Sequence, residues 1–274
     1  MTGRWKGDVW MGSGAAYFVG DARDNDLHAH YVLQIAIALG EPFFVTEDQG
    51  RTHLARGIVI PSGKRHCVRN GSEASAETMM LFVEPNSDMG RLLQAHYPLS
   101  EGEIVEIDEV RLTALKARLE TAAPGGGEPL VREMMTVLTD GAWRHRGIDR
   151  RVAFALDYIE NHLADSDSLE HVAQRLSLTS RYLRKLFEQE IGLSPQRYRQ
   201  WCKLRTALGG VLQGESFTEA AATAGFTDSA HFSRTFRDMF GAPPSSIFGA
   251  GGSTRRMTLH AADASDPSNA RRVS

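Results

Sequence analysis

The stretch SRYLRKLFEQEIGLSP (180–195) is written again as SAHFSRTFRDMFGAPP (229–244), 49 positions later (183 to 232). Both copies read apolar-x3-apolar-x3-apolar-Gly-x2-Pro: Leu183, Phe187, Ile191, Gly192 and Pro195, then Phe232, Phe236, Phe240, Gly241 and Pro244. Apolar residues four apart lie on one face of a helix, and the glycine supplies the left-handed residue that ends it. A pattern repeated at this length marks one supersecondary unit used twice.

Each copy extends backwards into a short helix. Ser168 is a capping residue for Leu169, Val172, Ala173 and Leu176, which share one face. Ser177-Leu178 is a tight turn, Thr179 caps the next helix, and Ser194-Pro195 opens a third. In the second copy Ser216-x-x-Glu219 is a capping box, Phe217, Ala220, Ala221 and Ala224 form the buried stripe, and Gly225-Phe226-Thr227 is the turn. The unit is a helix-turn-helix. Pro195 to Leu212 reads as one long helix joining the two, packed through Tyr198, Trp201, Leu204 and Leu208. Such a spacer would set two helices about 34 Å, one DNA turn, apart. Gly209-Gly210 near its end should soften it.

The outward faces differ between the copies. Arg181, Arg184, Lys185 and Glu188 form a stripe on the first; Ser229, Ala230, Ser233, Arg234 and Arg237 form the second. One charged stripe is usually just a solvated face. Two helix-turn-helix units together favour a helix that enters the major groove, where Arg or Lys donates to guanine. From Arg175 to Arg205 eight Lys/Arg stand against two acids, a local balance of +6 although the whole chain carries −3. The pair is therefore expected to read DNA asymmetrically, with the first unit dominant.

The 274 residues suffice for about two domains, and 42% apolar with 24% charged residues is ordinary for a globular protein. Absent an apolar run of about 18 residues or a leader-like N-terminus, a cytoplasmic protein that does not engage membranes is expected. Cys67 and Cys202 fall in different segments and read as reduced thiols.

Before residue 85 the chain reads as short strands: Tyr31–Leu39, Glu41–Thr46, His53–Ala55, Gly57–Ile60 and Met79–Val83. Helices follow near Leu92–His96, Val110–Leu119 and Leu130–Trp143, with a linker at Thr121–Pro129. The expected fold class is α+β multidomain: a barrel-like domain with accessory helices (1–120), a linker and helix (121–149), an all-α domain with two helix-turn-helix units joined by a long helix (150–248), and a disordered tail (249–274).

Two motifs mark the first domain: His28-x-His30-x3-Gln34-x5-Gly40 and Gly57-x3-Pro61-x-Gly63-x2-His66-x3-Asn70. In extended chain His28 and His30 face one way, and His66 from a neighbouring strand would bring three imidazoles together. With the Gln34 amide oxygen they would suit Fe, Ni, Mn or Zn. The plainer alternative is a metal-free pocket, and the sequence demands no cofactor. His28, His30, Gln34 and His66, with Phe43, are the candidate lining of a small-molecule site.

Residues 150–248 resemble the DNA-binding domain of the AraC/XylS family of bacterial transcription regulators. The likeness rests on Ala173, Leu183-x3-Phe187 and Gly192-x-Ser194-Pro195, then on Ala221, Gly225-Phe226, His231-Phe232-Ser233-Arg234-x-Phe236 and Gly241-x2-Pro244. The two histidine motifs resemble those of the cupin barrel, the usual effector domain of that family, with Gln34 where an acid is normal. The resemblance implies a ligand-controlled, homodimeric regulator of double-stranded DNA that contacts RNA polymerase if it activates. Dimerisation would use the first domain or the helices at 88–120. Arg181, Arg184, Lys185, Ser229, Ser233 and Arg234 would face DNA. The competing readings are a metal-dependent cupin sensor or enzyme fused to a DNA-binding domain, and a ligand-independent DNA binder; no catalytic role is expected.

Overall fold

The computed structural model describes residues 5–70, 76–99, 102–122, 126–141, 147–163, 168–249 and 257–259. The strands are β1 Lys6–Gly12, β2 Ala15–Ala22, β3 Leu33–Ala38, β4 Phe43–Glu47, β5 Thr52–Ala55, β6 Gly57–Ile60, β7 His66–Asn70, β8 Ala76–Val83, β9 Val105–Glu106 and β10 Met257–Leu259. The helices are α1 Asp88–His96, α2 Glu109–Thr121, α3 Gly127–Leu138, α4 Arg150–Asn161, α5 Ser168–Arg175, α6 Ser180–Ile191, α7 Pro195–Leu212, α8 Phe217–Thr223, α9 Ser229–Phe240 and α10 Pro244–Phe248.

Two sheets form the first domain, a seven-stranded one in the order β10-β1-β2-β8-β3-β6-β9 and a three-stranded one in the order β5-β4-β7. Alternation along β3 explains the layering. Leu33, Ile35 and Ile37 face α1, α2 and α3 in one core, while Ala36 and Ala38 face Phe43, Val45 and Val68 of the other sheet. One end of the space between the sheets is thus filled with side chains. Phe43, an expected lining residue, belongs to that filled end.

Two elements differ from expectation. The helix expected at Leu130–Trp143 is Gly127–Leu138, because Thr139 turns its hydroxyl to the Met135 carbonyl and Asp140 and Gly141 adopt positive φ. It packs in the barrel-side core. Met257–Leu259, placed in a disordered tail from composition, instead pairs in parallel with β1. Residues 123–125 of the expected linker and 250–256 and 260–274 of the expected tail lie outside the described residues.

The helical domain follows its sequence cues closely. Thr179, Ser194, Ser216 and Asp228 each cap a helix through the side chain, and Ser216 with Glu219 makes the full capping box. Gly192 and Gly241 both end their helices in the left-handed conformation. Gly210 has a packing reason: a Cβ there would lie 2.4 Å from Glu215 Oε2 and 3.3 Å from the Ala220 methyl, so its absence lets α8 close on α7.

The two domains share one core. Tyr31 and Val32 of the barrel are buried among Tyr198, Trp201 and Cys202 of α7. Across this junction the Trp201 indole N–H (3.1 Å) and Arg205 (2.7 Å) both donate to Glu84 Oε1, at the end of β8. Arg205 also reaches Glu160 at 3.4 Å. Glu84 is 5% exposed, so its charge depends on these donors. Glu84→Ala is expected to cost about 3 kcal/mol, the lower figure for a broken buried pair because Glu160 still serves Arg205. Urea unfolding of the full chain measures it.

Candidate nucleic-acid interface and interdomain cleft

α6 presents its cations as the sequence implied. Leu183, Phe187 and Ile191 are buried, while Arg181, Arg184, Lys185 and Glu188 are exposed on the opposite side. On α9, Phe232 and Phe236 are buried, Arg234 is exposed, and Ser229 and Ser233 are half-buried. Sequence patterning does not single out Tyr182. It is 46% exposed beside Arg181, with the Arg151 guanidinium 5.7 Å from its ring centre. The basic patch is smaller than its count. Lys203 donates to the Gly225 carbonyl at 2.8 Å, and Arg205 is committed to Glu84, so both serve the fold.

His28, His30 and His66 do converge, all buried, with ring centres 4.4–5.5 Å apart. A single bridge between His28 and His66 brings the two motifs together. Each ring spends Nδ1 on a backbone carbonyl two residues away: Asp26 (2.8 Å), Val32 (2.8 Å) and Lys64 (2.9 Å). A carbonyl can only accept, so Nδ1 carries the proton and Nε2 keeps a lone pair. Gln34 Oε1 lies 2.7 Å from His30 Nε2 and 3.2 Å from His66 Nε2. Burial holds all three rings neutral, pushing His28 down to about 3 and His30 and His66 below the usual imidazole range.

The donor set fits a divalent transition ion. The ligand atoms of the three histidines lie within 4.8 Å of one another, whereas nitrogens about 2.1 Å from a tetrahedral ion would be about 3.4 Å apart. Closing the set takes displacements on the order of 1 Å. The backbone carbonyls behind each Nδ1 are the outer-shell partners that ligating imidazoles usually have. A bound ion would supply a Lewis acid there.

Beside the trio lies an apolar cleft. The inner face of the large sheet (Ala16, Phe18, Met80, Phe82) makes its floor, and Leu208, Leu212, Phe236 and Phe240 close it from the helical domain. Of the four candidate effector residues, His28 and Gln34 line it; His30 and His66 do not. The cleft is thus not wholly within the barrel, since Leu208 and Leu212 of α7 and Phe236 and Phe240 of α9 form part of its wall.

The helical domain docks at this same point. The Asp26 N–H donates to the Gly241 carbonyl (2.8 Å), the Asp26 carboxylate pairs with Arg237 (2.6 Å), and the Asp26 carbonyl holds the His28 ring. A Cβ on Gly241 would lie 2.3 Å from the Asp26 oxygen and 2.7 Å from His28 Nδ1. A Cβ on Gly192, its counterpart in the first unit, would meet nothing within 4 Å. The two copies of one motif thus have opposite surroundings.

Comparison with known proteins agrees with this architecture. Residues 172–249 match the family described as helix-turn-helix domain. The HTH-type transcriptional activator RhaS of Escherichia coli K12 is 38% identical over 98 residues, 35% of each chain. The C-terminal domain is of the AraC/XylS type. RhaS of Escherichia fergusonii is 28% identical over 158 residues, 56% of this chain and 57% of that one, so the chain spans about half the length of the curated relatives it matches. An apo ToxT variant from Vibrio cholerae superposes with a TM-score of 0.61 at 11% identity, over 85% of this chain and 96% of that one. That likeness extends the shared fold beyond the AraC/XylS-type domain to both domains.

Gly241→Ala should destabilise the chain by about 2 kcal/mol or more, since the left-handed conformation alone costs an L-residue roughly 1–2 kcal/mol. Gly192→Ala should cost no more than that conformational part. Parallel denaturant titrations of the two variants give the difference.

Proposed function

We propose that the chain is a sequence-specific regulator of transcription that reads DNA with α6 and α9 and is controlled by a small apolar molecule in the interdomain cleft. The first clause is carried by the exposed Arg181, Arg184 and Lys185 on the second helix of an AraC/XylS-type unit. Ser229, Ser233 and Arg234 would make the lighter contacts of the second unit. α7 has 18 residues and spans about 27 Å, close to one turn of duplex. The curated relatives are named as activators, and activation with contact to RNA polymerase is the reading we adopt. The protein would act as a cytoplasmic homodimer.

The effector reading rests on a cleft whose walls come from both domains. A ligand there binds one relative arrangement of the domains better than another and so shifts their population. One ToxT structure is described as bound to an unsaturated fatty acid. In this chain no Lys or Arg lines the cleft among the described residues; its polar side chains are Asn25, His28, Gln34, the Tyr17 phenol and the Trp5 indole. A carboxylate would find no counter-charge, so the effector is inferred to be apolar and uncharged, with one hydrogen-bonding end.

Arg184→Ala should weaken specific operator binding by about 1–3 kcal/mol, and Arg234→Ala by less, in quantitative footprinting on a selected site. Equal losses would refute the dominance of the first unit. An uncharged apolar ligand at a hundredfold excess over its Kd should raise stability by about 2.7 kcal/mol. Ala16→Phe, which fills the cleft, should abolish that gain in thermal melts. A response that persists in this variant would place the effector elsewhere.

A further inference from the structure

Arg237 ends the exposed stripe of α9. Ala230, Arg234 and Arg237 follow one another at i, i+4 and i+7, and all three are exposed. Arg237 therefore lies about 4.5 Å beyond Arg234 along the face that would meet DNA. The helix-turn-helix fold itself does not call for a cation there. The matching position of the first unit, 49 residues earlier (237 to 188), is Glu188, which is also exposed.

The partner of Arg237 is on the other domain. Its Nη2 lies 2.6 Å from Asp26 Oδ2. The two side chains are 61% and 62% exposed, and an ion pair so open to water contributes little to stability and is readily exchanged. The Asp26 main chain, by contrast, is held from both sides. Its N–H donates to the Gly241 carbonyl, and its own carbonyl accepts from the His28 ring. The carboxylate is thus placed by the backbone, whether or not Arg237 meets it. Asp24 lines the same small recess, so the recess carries two carboxylates beside one guanidinium. Anionic oxygens within hydrogen-bond reach of a guanidinium are also what a DNA phosphate offers.

We propose that Arg237 is a further DNA-contacting residue with two exclusive partners, the Asp26 carboxylate in the free protein and a backbone phosphate in the complex. Asp26 stands in for the phosphate and lowers the DNA affinity of the second unit. The inference rests on the DNA-reading function proposed above and adds to it one contact and one competitor. The competitor belongs to the same segment as His28, whose ring lines the cleft.

The pair is broken from each side in the full-length protein, and binding to a duplex selected from a random pool is measured over a range of salt. Asp26→Asn, which keeps both main-chain bonds, should tighten binding about threefold at low salt, the factor that an exposed ion pair is worth. Arg237→Gln should weaken binding about threefold or more and flatten the slope of log affinity against log salt by up to about 0.9, one phosphate contact. Two variants that remove the same ion pair thus act with opposite sign. In the Arg237→Gln background, Asp26→Asn should change nothing. Tightening by both variants would make the pair a mere restraint on the unit and overturn the phosphate contact. Weakening by Arg237→Gln without a response to Asp26→Asn would overturn the competition. Arg184→Ala is measured alongside: if it weakens binding while Asp26→Asn and Arg237→Gln do not move it, the exchange alone fails, whereas binding unmoved by all three overturns the DNA-reading function as well.

Discussion

The bare Cα of Gly241 is the constraint on which the arrangement depends. Its left-handed φ ends α9, and its missing side chain lets the Asp26 carbonyl and the His28 ring approach to distances that any Cβ would forbid. One glycine therefore serves a local purpose, helix termination, and a long-range one, domain docking. Gly192 serves only the first. The duplication that gave two equivalent folds has left two inequivalent positions: α6 free of the barrel at its C-terminus, α9 held by it.

A second anchor keeps that contact in register. Glu84 takes two donors from α7 while Tyr31 and Val32 enter the core of the helical domain. Between this anchor and Gly241 lies the apolar cleft, where Phe82 of the barrel meets Phe240 of α9 with ring centres 5.6 Å apart. Docking around an apolar cleft is an arrangement that a ligand can stabilise or wedge apart. The same geometry puts Phe236 and Phe240 of a DNA-reading helix in the ligand's wall, so recognition and response share one element.

Much of this was legible in the sequence, and the reasons are physical. Helical periodicity, caps and terminal glycines are local signals, so α5 to α9 and the exposed stripe of α6 could be read residue by residue. His28, His30 and His66 could be brought together because strand alternation and one bridge suffice. What could not be read was non-local. Arg237 looked like one more solvent-facing cation, and Phe240 like one more core residue. Nothing in their spacing announces Asp26 or Phe82 on the other domain. Gly210 read as a soft point, whereas it is a close-packing position, because Glu215 and Ala220 return to it only after the turn. Lys203 and Arg205 counted toward a basic patch until their partners were known.

The central claim is that the barrel fixes the second helix-turn-helix unit. Pulsed electron-spin distance measurement tests it most directly, with spin labels at Thr52 on β5 and Asp238 on α9, both exposed. Cys67 and Cys202 are buried, so introduced cysteines can be labelled selectively. A single narrow distance distribution in the full-length protein is the predicted result. A broad or multimodal distribution for that pair would contradict the account.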